Sequence, residues 1–334
     1  MDIRQLRYFV KIVETGSLSK ASKQLFVAQP ALSQQISKLE EYVGKPLLIR
    51  SSKGVKPNQN GQALYHHARL VLRQFDQAIS IAKAENETVQ GMVSIGLPAT
   101  TVAAVGLDLI KRLREKYPGI LINVVEAMSG HIAQLIHQNQ LDLAVLFNDE
   151  HDDELIIEPL MVEELFLFLS EDSKLLPPDQ TTVTVAEAAA LPLIVPTSSH
   201  GLRRRIETEF SKYGLGVNVV AEIDSLALLM NCVHQDIAAT IKPRGAIMQE
   251  ADGGRQWRCL AFSDAHLRRS NFLYSLPPES MTPATNIVAA ELKAAVQDLI
   301  DNPAIKGFEP FPNQAKLGND RAANGQAKGS SASA

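Results

Sequence analysis

Apolar residues at the start of the chain recur three or four positions apart. Ile3, Leu6, Phe9 or Val10, and Val13 share one face of a helix that Gly16 stops. Ser17 then caps a short second helix carrying Leu18, Ala21 and Leu25, with small Ala21 leaving room for a crossing helix. After the turn Phe26-Val27-Ala28, a third helix is predicted from Gln29 to Val43, and Pro30 suits its first turn. Leu32, Ile36, Leu39 and Val43 form its core stripe. The opposite face presents Gln29, Ala31, Ser33, Gln34, Ser37 and Lys38: amides, hydroxyls and a methyl suited to base edges, and a cation suited to phosphate. Each of these alone is ordinary helix surface; their order together is specific.

From Lys45 to Asn58 two short extended runs flank a Ser-Lys-Gly turn, the pattern of a wing, along which lie Arg50, Lys53 and Lys56. Such cations rest against the phosphate backbone or minor groove. Leu64, Ala68, Val71, Phe75, Ala78 and Ala82 then alternate four and three apart, a heptad seam on a helix from Gln59 to about Ala84. That edge needs a partner, and a second copy of the same helix is the simplest; packing within the chain is the alternative. Adjacent His66 and His67 fall on different helix faces and do not read as a metal pair.

After Gly91, strands and helices alternate. Val93–Leu97, Ile120–Val125 and Leu141–Phe147 read as strands, with helices near Val105–Lys116 and His131–Gln138 between them. A second series includes Leu165–Leu169, Leu193–Val195, a helix near Leu202–Tyr213, Val217–Val220 and Ile237–Ile241. Two open α/β subdomains follow. Ligands in such sheets sit beyond the carboxyl ends of strands, where helix N-termini favour anions. The candidates there are Thr100, Thr101, Ser129, Gly130, Phe147, Asn148, Thr197, Ser198 and His200, with Arg203 just inside a helix and Asp224 and Ser225 opening another. A small anionic or amide-containing effector is expected, although Ser, Thr and Asp at helix starts are also ordinary caps.

Charge adds a partner. The net charge of -4 conceals a head, up to Asn58, with ten Lys/Arg against four acids, a balance of +6. A basic head on an acidic body fits double-stranded DNA. Hydrophobic residues at 45% and charged residues at 21% are ordinary globular usage, and no apolar run is long enough to span a bilayer. The amphipathic start lacks a signal-peptide pattern, so the expected place is the cytoplasm, without a membrane partner. Cys232 and Cys259 lack metal-ligand spacing and read as core thiols. GxSxG, HExxH, P-loop and GxGxxG motifs are missing, so neither an enzyme nor a cofactor or metal site is expected.

The run Leu6-Arg7-Tyr8-Phe9, Gly16-Ser17-Leu18, Ala21-Ser22, Leu25, Gln29-Pro30-Ala31-Leu32-Ser33-Gln34-Gln35-Ile36, Leu39-Glu40, Leu47-Leu48-Ile49-Arg50 resembles the LysR-type transcriptional regulators over nearly the whole chain to about residue 300. Val10–Val13, Ala28–Gln35 and Val93–Leu97 are similar to the nitrogen assimilation control branch. The resemblance implies an α/β protein with an all-α winged helix-turn-helix head, a long linker helix and a two-subdomain regulatory domain like periplasmic solute-binding proteins. The expected limits are 1–58 for the head and 59–87 for the linker. The regulatory domain is expected at 88–301, with subdomain I at 88–162 and 267–301 and subdomain II at 163–266, before a disordered tail at 302–334. It also implies self-association as a dimer or tetramer, interrupted palindromes as targets and contact with RNA polymerase.

One position departs from the family: Asp236 stands where many members carry a glycine-rich turn, which weakens transfer of effector geometry. An effector-independent regulator controlled by abundance or oligomeric state, and a redox sensor using the two cysteines, remain as alternatives.

Overall fold

The computed structural model describes residues 1–51, 54–83, 89–149, 152, 154–198, 200–248, 256–278 and 281–312. Two units are present, Met1–Glu87 and Thr88–Ala334.

In the first unit, α1 (Ile3–Thr15) begins at a reciprocal cap: the Gln5 backbone N–H donates to the Asp2 carboxylate at 2.8 Å, and the Asp2 N–H donates to the Gln5 side chain at 3.0 Å. It ends at Gly16 with φ +62°, a conformation suited to glycine. Helices α2 (Leu18–Leu25) and α3 (Gln29–Val43) follow, then β1 (Leu48–Ser51) and β2 (Gly54–Pro57) pair antiparallel as the wing. Phe9, Ile12, Ala21, Leu32, Ile36, Leu39 and Leu47 make the core. The wing is fixed at both ends. Glu40 of α3 accepts from the Leu47 N–H at 2.8 Å, and the Val55 N–H donates to the Gly16 carbonyl at 2.9 Å. A Cβ on Gly54 would lie 2.7 Å from that carbonyl oxygen, so only glycine admits the approach.

Helix α4 (Gln59–Lys83) corrects part of the seam expectation. Ala68 is buried, packing with Leu6 and Val10 of α1, and Leu64 is half-buried in the same cluster. The first turns of the helix therefore serve the head's own core, because α1 carries an apolar edge that α4 covers. Val71, Phe75 and Ala78 are exposed. The side chains of His66 and Ala82 lie outside the described residues.

In the second unit, β3 (Gly91–Leu97) leads into α5 (Ala99–Thr101), a π-helical turn (Val102–Gly106) and α6 (Leu107–Lys116), a longer helical run than the sequence pattern predicts. Then come β4 (Ile120–Glu126), α7 (Ser129–His137), β5 (Leu143–Leu146) and the fifteen-residue β6 (Ile156–Ser170). Next are β7 (Thr182–Val183), α8 (Val185–Ala190), β8 (Leu193–Val195), α9 (Gly201–Lys212), β9 (Val219–Glu222), α10 (Leu226–His234) and β10 (Thr240–Pro243). A 3-10 turn (Arg244–Ile247), β11 (Trp257–Phe262), β12 (Arg268–Ser275), α11 (Pro283–Asp301) and β13 (Phe308–Glu309) complete the order.

The first half runs β4-β3-β5-β12-β6, with β3 parallel to β4 and β5, and β12 antiparallel to its neighbours. Val93, Ile95 and Leu97 of β3 pack on α6 and α11, while Ile132 and Ile136 of α7 cover the other face. The second half is built on the other end of β6, which pairs with β10 and β11. Strand β6 changes partners between Glu164, opposite Arg268, and Leu165, opposite Pro243. One strand thus belongs to both halves.

Two differences from the sequence reading have physical causes. Residues 302–312 are ordered rather than part of a disordered tail: Phe308 is buried, Phe311 stacks on Phe272 at 5.2 Å, and β13 pairs with β6. A free strand edge and apolar anchors drive that docking. Residues 313–334 lie outside the described residues. Asp236 takes φ +54°, the conformation glycine adopts easily, and its carboxylate accepts from Ser173 Oγ and, at 3.2 Å, from the Lys174 N–H. Among the described residues no helix is long and apolar enough to cross a membrane.

Candidate functional site

Chemistry is concentrated at one surface of the first unit and one cavity of the second. On α3, Gln29, Pro30, Ala31, Gln34, Ser37 and Lys38 are exposed. Ser33 is half-buried and accepts from Arg50 of β1 at 3.1 Å, which holds the wing's arginine beside the helix. Lys56 is exposed on β2, and Lys53 lies outside the described residues. Gln35 faces inward instead, accepting from Gln5 of α1 at 3.2 Å. The turn before α3 contains a residue whose exposure sequence reasoning missed: Phe26 is 95% exposed at φ +56°.

The cavity, about 450 Å³, lies between the two halves of the second unit, in the range of small-molecule sites. Of the predicted effector residues, it brings together Thr100, Ser129, Phe147, His200, Asp224 and Ser225. Thr101, Gly130, Asn148, Thr197, Ser198 and Arg203 do not line it. Their placements explain why. Thr101 is fully buried behind the wall, the Asn148 carbonyl accepts from Tyr274 at 2.7 Å, and Thr197 donates through both its N–H and hydroxyl to Asp224. Arg203 is buried and paired with Glu207 at 2.6 Å, one turn along α9. Ser198 and Gly130 face solvent.

Four helix starts meet at the cavity. Ala99 opens the helical run from α5 through the π-helical turn into α6, and Ser129, His200 with Leu202, and Ser225 with Leu226 stand at the N-terminal ends of α7, α9 and α10. The first N–H groups at such ends carry partial positive charge, and at α9 and α10 one of them is capped by His200 and Ser225 respectively. His200 Nδ1 accepts from the Leu202 N–H at 3.1 Å, which requires the neutral ring. Burial, helped by the charges of Lys242 and Arg269, pushes the His200 pKa down to about 4.

Two lining cations escaped the sequence reading, Lys242 of β10 and Arg269 of β12. Arg269 is held on every side: its Nε donates to Glu163 at 2.9 Å, one Nη donates to Thr100 at 3.0 Å, and its guanidinium lies 3.7 Å from the Phe147 ring centroid. Asn271 adds a donor to Glu163 at 3.0 Å. The signal for Lys242 was a charged residue closing the apolar run Ile237–Ile241; the pairing of Arg269 with Glu163 spans 106 positions and leaves no local pattern. Among the described residues no group of His, Cys, Asp and Glu is arranged to hold a metal ion.

Comparison with known proteins places both units. Residues 3–62 match the bacterial regulatory helix-turn-helix protein family of the LysR type, and residues 86–297 match the LysR substrate binding domain. The chain is 31% identical to the nitrogen assimilation regulatory protein nac of Klebsiella aerogenes over 92% of this chain and 98% of that protein. It is 35% identical to the protein of the same name from Escherichia coli (strain K12), over 74% of this chain and 79% of that protein. In fold it is similar to a full-length OxyR variant from Pseudomonas aeruginosa, with a TM-score of 0.68, 17% identity, and 94% and 99% of the two chains covered. Full-length CbnR complexed with its target DNA is likewise similar, with a TM-score of 0.66, 16% identity, and 88% and 100% covered. The helix-turn-helix head, the two-halved second unit and these matches together make the chain a member of the LysR family of DNA-binding transcriptional regulators, not an enzyme.

Proposed function

We propose that the protein binds double-stranded DNA as a dimer, each protomer laying α3 in a major groove with its wing along the adjacent backbone, so that its targets are interrupted palindromes. The exposed polar face of α3, with Arg50 held beside it through Ser33, carries this reading. CbnR, similar in fold, has been seen with its target DNA, which supports the same class of partner. The exposed apolar residues Val71, Phe75 and Ala78 on α4 support pairing of two copies. Pairing of dimers into a tetramer and contact with RNA polymerase are part of the same proposal.

The cavity of the second unit supports a small effector, anionic or amide-containing, that modulates DNA binding; Thr100, Ser129, Phe147, His200, Asp224 and Ser225 are its proposed contacts. The test is genome-wide capture of DNA by the purified chain followed by footprinting, with nitrogen-assimilation promoters as first probes because of the relatives' names. Protected sites with two-fold symmetry are the expected result. Capture without sequence preference overturns the proposal.

A further inference from the structure

Lys242 is only 6% exposed, yet it lines the cavity. The charged and titratable groups facing it come from three directions: Arg269 on β12, Asp224 ahead of α10 and His200 ahead of α9. None pairs with it directly, and only Asp224 partly offsets its charge, from a distance. Arg269 is a like charge matched to Glu163, His200 is neutral, and Asp224 accepts from the Thr197 N–H at 3.0 Å and its hydroxyl at 3.1 Å. Among the described residues no carboxylate lies within ion-pairing distance of Lys242. A buried ammonium without a counterion favours its neutral form. Burial, followed by the charge of Arg269, brings the pKa of Lys242 down to about 7.

The remaining wall defines the ligand. Residues at four helix N-termini line the cavity, two of the ends already capped by His200 and Ser225, so an anion gains at the remaining N–H groups as well as at Lys242. Phe147, Leu202, Leu226 and Met230 supply an apolar surface, while Glu126 and Asp224 oppose a second negative group.

We propose that the cavity takes a small monocarboxylate with an apolar body, that its carboxylate pairs with the Lys242 ammonium, and that one proton is drawn from solvent onto Lys242 as it binds. The proposal rests on the effector reading above and gives it a chemical class and a proton linkage. The balance is simple: a carboxylate anion, a proton and a neutral lysine amine become a carboxylate–ammonium pair, with no covalent bond changed apart from the new N–H. The regulator then reads the anion and acidity jointly.

Calorimetric titration of the full chain with benzoate, hexanoate, benzamide and succinate, in buffers of different ionisation heat, tests this. Benzoate or hexanoate is expected to bind at least about tenfold more tightly than benzamide and succinate, the tenfold step matching 1.4 kcal/mol. Affinity is expected to change little between about pH 6 and pH 7 and then fall toward about tenfold per pH unit, with about 0.9 proton taken up per ligand near pH 8. Lys242→Met keeps the apolar stem and is expected to lose both the binding and the pH dependence. Lys242→Arg, always charged, is expected to bind without proton uptake. Binding of succinate or benzamide in place of both monocarboxylates overturns this proposal and leaves the effector reading standing, whereas failure of all four ligands overturns both. Binding without proton uptake, or binding unchanged in Lys242→Met, overturns this proposal alone.

Discussion

Arg50 on the wing donates a hydrogen bond to Ser33 on α3 at 3.1 Å, so the two elements proposed to meet DNA are joined to each other. In that arrangement the Ser33 hydroxyl is already engaged by the arginine. The division of labour on this surface is testable residue by residue.

Gln34 is exposed on the face of α3 and Lys56 on the wing. Gln34→Ala is expected to weaken binding to a footprinted site by about 1 to 3 kcal/mol and to relax sequence preference at one position. Lys56→Ala is expected to weaken specific and random DNA alike and to reduce the salt slope by about 1. Filter binding across a salt series separates the two; identical behaviour of both variants contradicts the assignment.

The two ends of helix α4 are separately testable. Phe75→Glu, at an exposed position, is expected to yield a folded monomer by light scattering, with half-site binding weakened through lost pairing. Ala68→Asp, in the buried cluster with Leu6 and Val10, is expected to unfold the head instead. A dimer that survives Phe75→Glu rules out this seam.

Lys242 also leaves a signature on stability. Its folded pKa is lowered from 10.5 to about 7, so its folded-state penalty is absent above the unfolded pKa, grows as pH falls toward 7 and is complete below. Lys242→Met is therefore expected to gain stability over the wild type as pH falls from about 10 to 7, by a few kcal/mol at most after repacking. Parallel denaturant curves at every pH go against it.

Cys259 is half-buried in the second half, and the desolvation there pushes its thiol pKa up to about 12. The thiolate needed for oxidation is scarce at neutral pH. Footprints are expected to stay unchanged after peroxide treatment; a peroxide-dependent change that vanishes in the Cys232→Ser, Cys259→Ser double variant restores the redox reading.

Phe308 anchors the residues beyond α11 against β6. Phe308→Ala is expected to cost the second unit about 3 kcal/mol. Thermal unfolding of the unit reads this directly, and an unchanged midpoint assigns the stretch no structural part.

Much of this molecule is visible in local pattern. Gly16, Ser17 and Pro30 mark helix ends, and Leu32, Ile36 and Leu39 are spaced for one face; both signals act within a few residues. What escapes local pattern is pairing across the chain. Ala68 looks like one more seam position until α1 is seen covering it, and Arg269 looks like one more strand-end cation until Glu163 and Phe147 enclose it. Capping motifs mislead in the same way. Thr100, Ser129 and Ser225 reach the cavity, whereas Thr197, with the same kind of hydroxyl at a loop end, is turned onto Asp224. Sequence position alone carries no direction for a hydroxyl.

Strand β12 sits between β5 and β6 in the sheet, though it is made about 120 residues after β5. A chain leaving the ribosome therefore presents β3, α6, β4, α7 and β5 early, but cannot close that half until β12 and α11 emerge. The half built on β10 and β11 has all of its strands first. Synthesis runs against spatial order, and the walls bearing Thr100 and Ser129 are the last to be locked in place. A nascent protein carries a finished helix-turn-helix head long before it has a finished cavity.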